Sequence, residues 1–239
     1  MDALIIAAGR GSRLAEAGDS KPLIKVGGCS LIGHVMRAAT RGGVTRFVVV
    51  CGWMGERVTE AVRNIATDLG LVAECVTNPD WRRGNGISVL AAKGRVTSPF
   101  FLMMSDHLFD PGILSLLKKS PLHTAGVALA VDRRIENNPL VDLEDVTRVL
   151  ETDGRIRAIG KGLTCFNAFD TGLFCCTGDL FPALESSLQK GDESLSGGVR
   201  ELAGTGKALA VDAKQLFWLD VDDARGLGLA REHMRGGPE

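Results

Sequence analysis

The chain has 239 residues, 45% hydrophobic and 24% charged, enough to bury a substantial core and long enough for one large domain or two small ones. Lysine and arginine total 28 against 29 acids, which excludes a basic face wide enough for nonspecific duplex binding and argues against a nucleic-acid partner. With no uninterrupted apolar run of about 18 residues and no basic, apolar leader, the expectation is a soluble, cytoplasmic protein with no membrane segment.

In chain order, apolar β-branched runs alternate with helical periodicity. Strands are predicted at 3–8, 46–51, 71–76 and 99–104, and helices around 30–41, 56–68 and 86–95. Such alternation predicts a mostly parallel sheet with helices on both faces, where ligands bind beyond the carboxyl ends of strands. After residue 112, strands are expected near 125–131, 146–151, 155–160 and 168–176, with Asp153-Gly154 as a hairpin turn. Helices near 179–190 and 194–204, strands near 208–213 and 216–220, and a helix across 222–234 complete the pattern. Cys29, Cys51, Cys75, Cys165, Cys175 and Cys176 lie mostly in or beside apolar runs, none with CxxC spacing, and read as buried free thiols.

The first strand empties into a loop, LIIAAGRGSRL over 4–14, followed by Lys21-Pro22-Leu23. Ala7 and Ala8 end the strand, Gly9 and Gly11 let backbone approach an oxyanion, and Arg13 and Lys21 add charge. A dinucleotide fingerprint needs a third glycine where Leu14 stands, and the Gly-Lys-Ser/Thr ending of a P-loop is absent. The pattern suits wrapping the phosphates of a nucleoside triphosphate; the bland alternative is a tight turn with a solvated arginine.

Two strands end in acids. FFLMMSD stops at Asp106, and FWLDVDD carries Asp220 and Asp222 on one face by their i, i+2 spacing. Such carboxylates either cap turns or hold a divalent cation over phosphates; magnesium takes one or two of them, so Asp106 and Asp220 suit it, with Asp222 as a third partner. Asp223 reads as a first-turn residue of the last helix. Asn78, Gly84, Asn85 and Ser88 precede or open the third helix. Gly84 permits close approach of a flat base, and Asn85 and Ser88 offer either hydrogen bonds to a ligand or N-caps. Trp81 reads as a core residue. Lys161 could anchor a phosphate monoester, and Asn167 and Asp170, with the adjacent Thr171, could bind hydroxyls of a polyol. There is no GxSxG elbow, no cysteine protease signature, and the four histidines lack metal-ligand spacing, so covalent catalysis is not expected.

Together, LIIAAGRGSRL, Lys-Pro-Leu, the strand ending at Asp106, Lys161, Asp170-Thr171-Gly172 and the late Trp218-Leu219-Asp220 resemble the nucleotidyltransferases that make sugar nucleotides, over nearly the whole chain. NGIS at 85–88, SDH at 105–107, VDLEDVTRVL at 141–150, IGKGL at 159–163, FDTGLF at 169–174 and WLDVDD at 218–223 most resemble the CTP:inositol-1-phosphate cytidylyltransferases.

The resemblance implies an α/β fold, a Rossmann-like mixed, mostly parallel sheet flanked by helices. It implies one nucleotidyltransferase domain over 1–235, with a nucleotide-binding half at 1–112, an acceptor-binding half at 113–235 and a tail at 236–239. The implied reaction is attack by inositol 1-phosphate on the α-phosphorus of CTP, with Mg2+, releasing pyrophosphate. Gly9, Gly11, Arg13 and Lys21 would then hold the triphosphate, with Ala7 and Ala8 beside them. Lys21 and Lys161 would neutralise the reacting phosphates, Asp106 with Asp220 would bind metal, and Asn78, Gly84, Asn85 and Ser88 would lie near the base and ribose.

A homodimer is compatible with this reading, and a separate CDP-alcohol transferase would use the product. Competing readings are a cytidylyltransferase for phosphocholine or an aminoalkyl phosphonate, another sugar-1-phosphate nucleotidyltransferase, and a non-catalytic nucleotide-binding subunit.

Overall fold

The computed structural model describes residues 1–17, 20–136 and 138–236. Its first half runs β1 (Asp2–Ala7), 3-10 turns at Ser12–Ala17 and Lys21–Leu23, a short hairpin of β2 (Lys25–Val26) and β3 (Cys29–Ser30), α1 (Leu31–Arg41), β4 (Arg46–Cys51), α2 (Gly55–Leu69), β5 (Val72–Thr77), α3 (Asn85–Ala91) and β6 (Phe100–Met104). The second half runs β7 (His107–Phe109), α4 (Gly112–Lys118), a 3-10 turn at Leu122–Thr124, β8 (Val127–Asp132), β9 (Arg148–Thr152), β10 (Arg155–Gly160), β11 (Ala168–Cys176), α5 (Leu180–Gln189), α6 (Leu195–Gly204), β12 (Ala208–Asp212), β13 (Trp218–Asp220) and α7 (Ala224–Gly236).

Local chemistry explains the elements. Ser30 and Ser194 accept from the Gly33 and Gly197 N–H groups and so cap α1 and α6. In α1, Leu31, Ile32, Val35, Met36, Ala38 and Ala39 fall on one buried stripe. Asp153 and Gly154 both have positive φ, at 53° and 71°, which turns β9 back onto β10 with the hand their twist requires.

One nine-stranded sheet has the order β5-β4-β1-β6-β11-β8-β12-β10-β9. β5, β4, β1 and β6 pair in parallel, as does β12 with β8, while β11 and β10 bring in antiparallel pairing. Alternate residues of β6 feed opposite cores: Phe101 and Met103 pack with α1 and α4 residues, Phe100 and Leu102 with those of α3 and α5. β1 lies between β4 and β6, so the loop that follows it emerges where the chain connections diverge to either side, the ordinary place for a ligand.

A third, smaller core decides the geometry of that place. Leu14 of the loop, Ile24, Val26, Leu31, Leu108 of β7, Leu219 of β13, Val221 and Ala230 of α7 pack together, all under 9% exposed. Burial of each large member contributes about 1.5–3 kcal/mol, enough to fasten the loop after β1 against the acidic strand β13. β7 and β13 pair antiparallel, with Asp220 directly opposite His107.

The sequence reading expected no strands at 25–30 or 107–109 and no helix at 112–118. These elements, with two to seven residues, are too short for periodicity to register. All six cysteines are free; Cys51, Cys175 and Cys176 are buried, but Cys165 is exposed, against expectation, because it sits in the open turn between β10 and β11. Residues 237–239 of the expected tail lie outside the described residues, and α7 reaches Gly236.

Candidate active site

Beyond the carboxyl ends of β1 and β6 lies a cleft of about 170 Å3, walled in part by Arg13, Asn85, Lys161, Asp170, Asp220 and Asp222. Lys21, 6% exposed, and Asp106 join this wall through ion pairs. Charge alternates along its floor. Lys161 Nζ lies 2.5 Å from Asp145, whose other oxygen is 3.0 Å from Arg13. Arg13 is 2.6 Å from Asp222, and Asp222 is 2.5 Å from Lys21 Nζ. Lys21 then meets Asp106 at 2.5 Å and Asp220 at 4.0 Å, and His107 Nδ1 stands 2.9 Å from Asp106 and 3.7 Å from Asp220.

These pairings set the protonation states. Burial opposes the charged form of Lys21, but Asp106, Asp220 and Asp222 outweigh it and hold the ammonium well above its ordinary range. Burial would likewise raise Asp106; Lys21 and His107 hold it well below the carboxylate range. His107 resists charging by burial, yet Asp220 and Asp106 raise it to about 9. Asp220 is pushed up, by burial first and then by its acidic neighbours. The Arg13 hydrogen bond, followed by that of Lys161, holds Asp145 far below the usual range.

Asp106, His107 and Asp220 place one ligand atom each within 4.8 Å of one another. The buried Oδ1 of Asp220 has no hydrogen-bond partner among the described residues, an acceptor left for a cation. Two carboxylate oxygens in this setting are the hard donor set that Mg2+ takes, so the residues fit that ion.

Gly11 has φ +65°, and a Cβ there would lie 2.4 Å from Lys21 Cβ, so glycine at 11 is what lets the lysine stem pass beneath the loop. Gly9 faces open space. Ala7 and Ala8 are buried, and the Ala8 carbonyl accepts from the Trp53 N–H at 2.9 Å. Trp81 is half-buried against Trp53, ring centroids 5.3 Å apart, with the Arg82 guanidinium over it at 4.2 Å. Asp223 accepts from Gly226 N–H at 2.7 Å and opens α7, as expected.

Several expected contacts to ligand are used by the protein itself. At Gly84 a Cβ would lie 2.4 Å from the Glu193 carbonyl oxygen, so glycine is required there by the close approach of that backbone. Asn78 and Ser88, both buried, bond each other at 3.0 Å, and Asn78 Oδ1 accepts from Asp80 N–H, bracing the turn. Asn85 accepts from Leu195 N–H at 2.7 Å and still reaches the cleft wall. Neither Asn85 nor Ser88 is an N-cap; that position is Gly84.

Asn167 was expected to bind acceptor hydroxyls; instead its amide bonds both the N–H and the carbonyl of Glu151, completing the edge of β9, because it precedes β11 where the two strands meet. Thr171 is fully buried with its hydroxyl donating to the Ala130 carbonyl, since alternation turns it away from the cleft. Asp170 does line the cleft.

The sequence reading assigned no role to His107, Asp142 or Asp145, all on the cleft wall. Their signal was there: His107 follows the metal candidate directly, and both acids stand in VDLEDVTRVL.

A family model described as the MobA-like NTP transferase domain matches residues 3–196. The chain belongs to this family. Similar to this MobA-like chain is the "Bifunctional IPC transferase and DIPP synthase" of Rubrobacter xylanophilus, 36% identical over 98% of the chain and 52% of that protein. The protein of the same description from Aquifex aeolicus is 29% identical over 97% of the chain and 51% of its own length. The MobA-like chain thus spans about half the length of the curated relatives it matches. Among solved structures, the inositol-1-phosphate CTP transferase from T. maritima superposes with a TM-score of 0.85 at 28% identity, covering 100% of this chain and 98% of that one. The sheet-and-helix fold is that of the nucleotidyltransferases. No helix among the described residues is long and apolar enough to cross a membrane.

Proposed function

We propose that the chain is a Mg2+-dependent cytidylyltransferase that joins CTP and inositol 1-phosphate into CDP-inositol and pyrophosphate. The observation that carries this reading is the alternating row from Lys161 to Asp220, in which three cations aligned along a cleft are held by carboxylates where phosphates would lie. The similarity to the T. maritima transferase over the full length supports the choice of CTP and inositol 1-phosphate.

Joining two phosphates requires alignment and charge neutralisation more than proton transfer. The acceptor phosphate is already ionised, so no general base is required. Arg13 and Lys21 bind the triphosphate, exchanging Asp145 and Asp222 for phosphate oxygens. Lys161, freed from Asp145 in the same exchange, orients the acceptor phosphate for in-line attack on the α-phosphorus. Bound at Asp106 and Asp220, Mg2+ would add positive charge over the reacting phosphates. Asn85 and Asp170 both line the cleft, and this reading assigns Asn85 to the base and Asp170 to the acceptor. The reading includes a cytoplasmic location and a downstream CDP-alcohol transferase that uses the product.

The acidic wall of Asp142, Asp145 and Asp170 favours a second reading, an aminoalkyl phosphonate acceptor whose ammonium these carboxylates would meet. Pyrophosphate release with Mg2+, each nucleoside triphosphate, and inositol 1-phosphate, phosphocholine or 2-aminoethylphosphonate separates the two. Release with CTP and inositol 1-phosphate, lost in a folded Asp106→Ala variant, is the expected result. Turnover with the amine alone overturns the acceptor, and near-wild-type turnover by Asp106→Ala overturns the metal role.

A further inference from the structure

Asp132 ends β8, is fully buried, and stands outside the row of charges just described. Its Oδ2 accepts from the Trp218 indole Nε1–H at 2.8 Å, from Arg134 Nη2 at 2.8 Å and from Asn138 Nδ2 at 3.0 Å. Its Oδ1 accepts from the Arg134 backbone N–H and from Arg134 Nε, each at 2.9 Å. Burial would raise this carboxyl, but the Arg134 guanidinium, the Trp218 N–H and the Arg134 backbone N–H outweigh it and hold it below the usual range. A carboxylate fed by donors from three residues is a fixed, charged anchor, not a surface group.

Two structures hang from this anchor. Trp218 opens β13, the three-residue strand that carries Asp220 and leads to Asp222. Against β7 that strand has only the register Trp218 to Phe109, Leu219 to Leu108 and Asp220 to His107. So short a ladder specifies position weakly, and the indole hydrogen bond adds a directional constraint at its start. On the other side, Asn138 Oδ1 accepts from Leu140 N–H at 3.2 Å, and Leu140, Val141 and Asp142 follow as cleft wall.

We propose that Asp132 is a positioning residue that, through Trp218, fixes the carboxylate of Asp220 in the geometry a divalent cation requires, and through Asn138 ties that strand to the acceptor-side wall. The inference rests on the metal reading above. Groups that orient metal ligands typically change metal affinity about 10–100-fold when removed, whereas a residue that only stabilises the fold leaves affinity unchanged in the folded fraction.

The test measures Mn2+ binding by electron paramagnetic resonance in the full chain with a non-reacting α,β-methylene CTP, alongside thermal unfolding. Trp218→Phe keeps an aromatic ring, though a smaller one, and deletes the N–H, leaving Asp132 paired with Arg134 and Asn138, and Asp132→Asn keeps the shape. Both are expected to fold and to bind Mn2+ about tenfold or more weakly. Asn138→Ala is expected to bind Mn2+ as the wild type does. A folded Trp218→Phe protein with wild-type Mn2+ affinity, whatever its melting temperature, overturns the positioning role. A wild-type chain that holds no Mn2+ overturns the metal reading, and this inference with it.

Discussion

The ring of His107 fills the space that Gly172 leaves empty: a Cβ at 172 would lie 2.4 Å from His107 Cδ2. Gly172 also has φ +73° and donates its N–H to Asp170 Oδ1 at 2.7 Å. One glycine thereby seats the partner of Asp106 and bends the backbone beside a cleft acid. Gly172→Ala combines left-handed strain of about 1–2 kcal/mol with overpacking of about 1–3 kcal/mol. Urea unfolding of the variant is expected to show that loss, with pyrophosphate release falling further than stability alone explains.

Lys21 is the cation shared by Asp106, Asp222 and, at longer range, Asp220. Lys21→Met retains the stem that packs under Gly11 but leaves these carboxylates facing one another. Turnover is expected to fall about 10²–10³-fold, the usual loss when one charge-stabilising donor is removed. Lys21→Arg, too broad for the 2.5 Å contacts on both sides, is expected to rescue little. Steady-state pyrophosphate release measures both, and a rescued arginine variant would overturn the point-charge role.

Asp145 occupies Arg13 and Lys161 at once. Asp145→Ala frees both cations, so product inhibition by pyrophosphate is expected to tighten several-fold while kcat declines as the two cations lose their shared support. An unchanged inhibition constant would show that Asp145 does not compete with phosphate.

Burial pushes the Asp170 carboxyl up to about 6, against the Gly172 N–H and His107, which pull it down. The unfolded value is about 3.9, so between about pH 4 and 6 the folded protein holds a proton that the unfolded chain has released. The stability this gives is fully present below about pH 4 and is lost as pH rises through about 6. Asp170→Asn removes that loss, and the metal-free variant is expected to be more stable at pH 7 by on the order of 2 kcal/mol, with no gain at pH 4. Urea unfolding at several pH values checks the sign.

Sequence made the fold legible, because strand runs such as 46–51 and 99–104 are local signals, and it singled out the charged residues that the structure brings to one cleft, because acids that end strands are local signals too. The neutral half was less so. Asn167 and Thr171 read as hydroxyl binders, but the pairing of β9 with β11 engages the Asn167 amide with the Glu151 backbone, and strand alternation turns Thr171 inward, facts of register that no local pattern carries. Gly84 announced a close approach without naming its partner, the Glu193 carbonyl more than a hundred residues away. Asp145 stayed hidden because its importance lies in what it bridges.

Lys21 and Asp222 touch although 201 positions separate them along the chain. The family match ends at residue 196, before the strand that supplies Asp220 and Asp222, and the small core around Leu14 closes only when Leu219 and Ala230 arrive. The loop after β1 therefore meets its counter-charges and its apolar floor only when residues 218–230 have joined the fold. A fragment ending near residue 200 would carry the loop after β1 but neither Asp220 and Asp222 nor Leu219 and Ala230, and so neither the charges that meet Lys21 nor the core that fastens the loop.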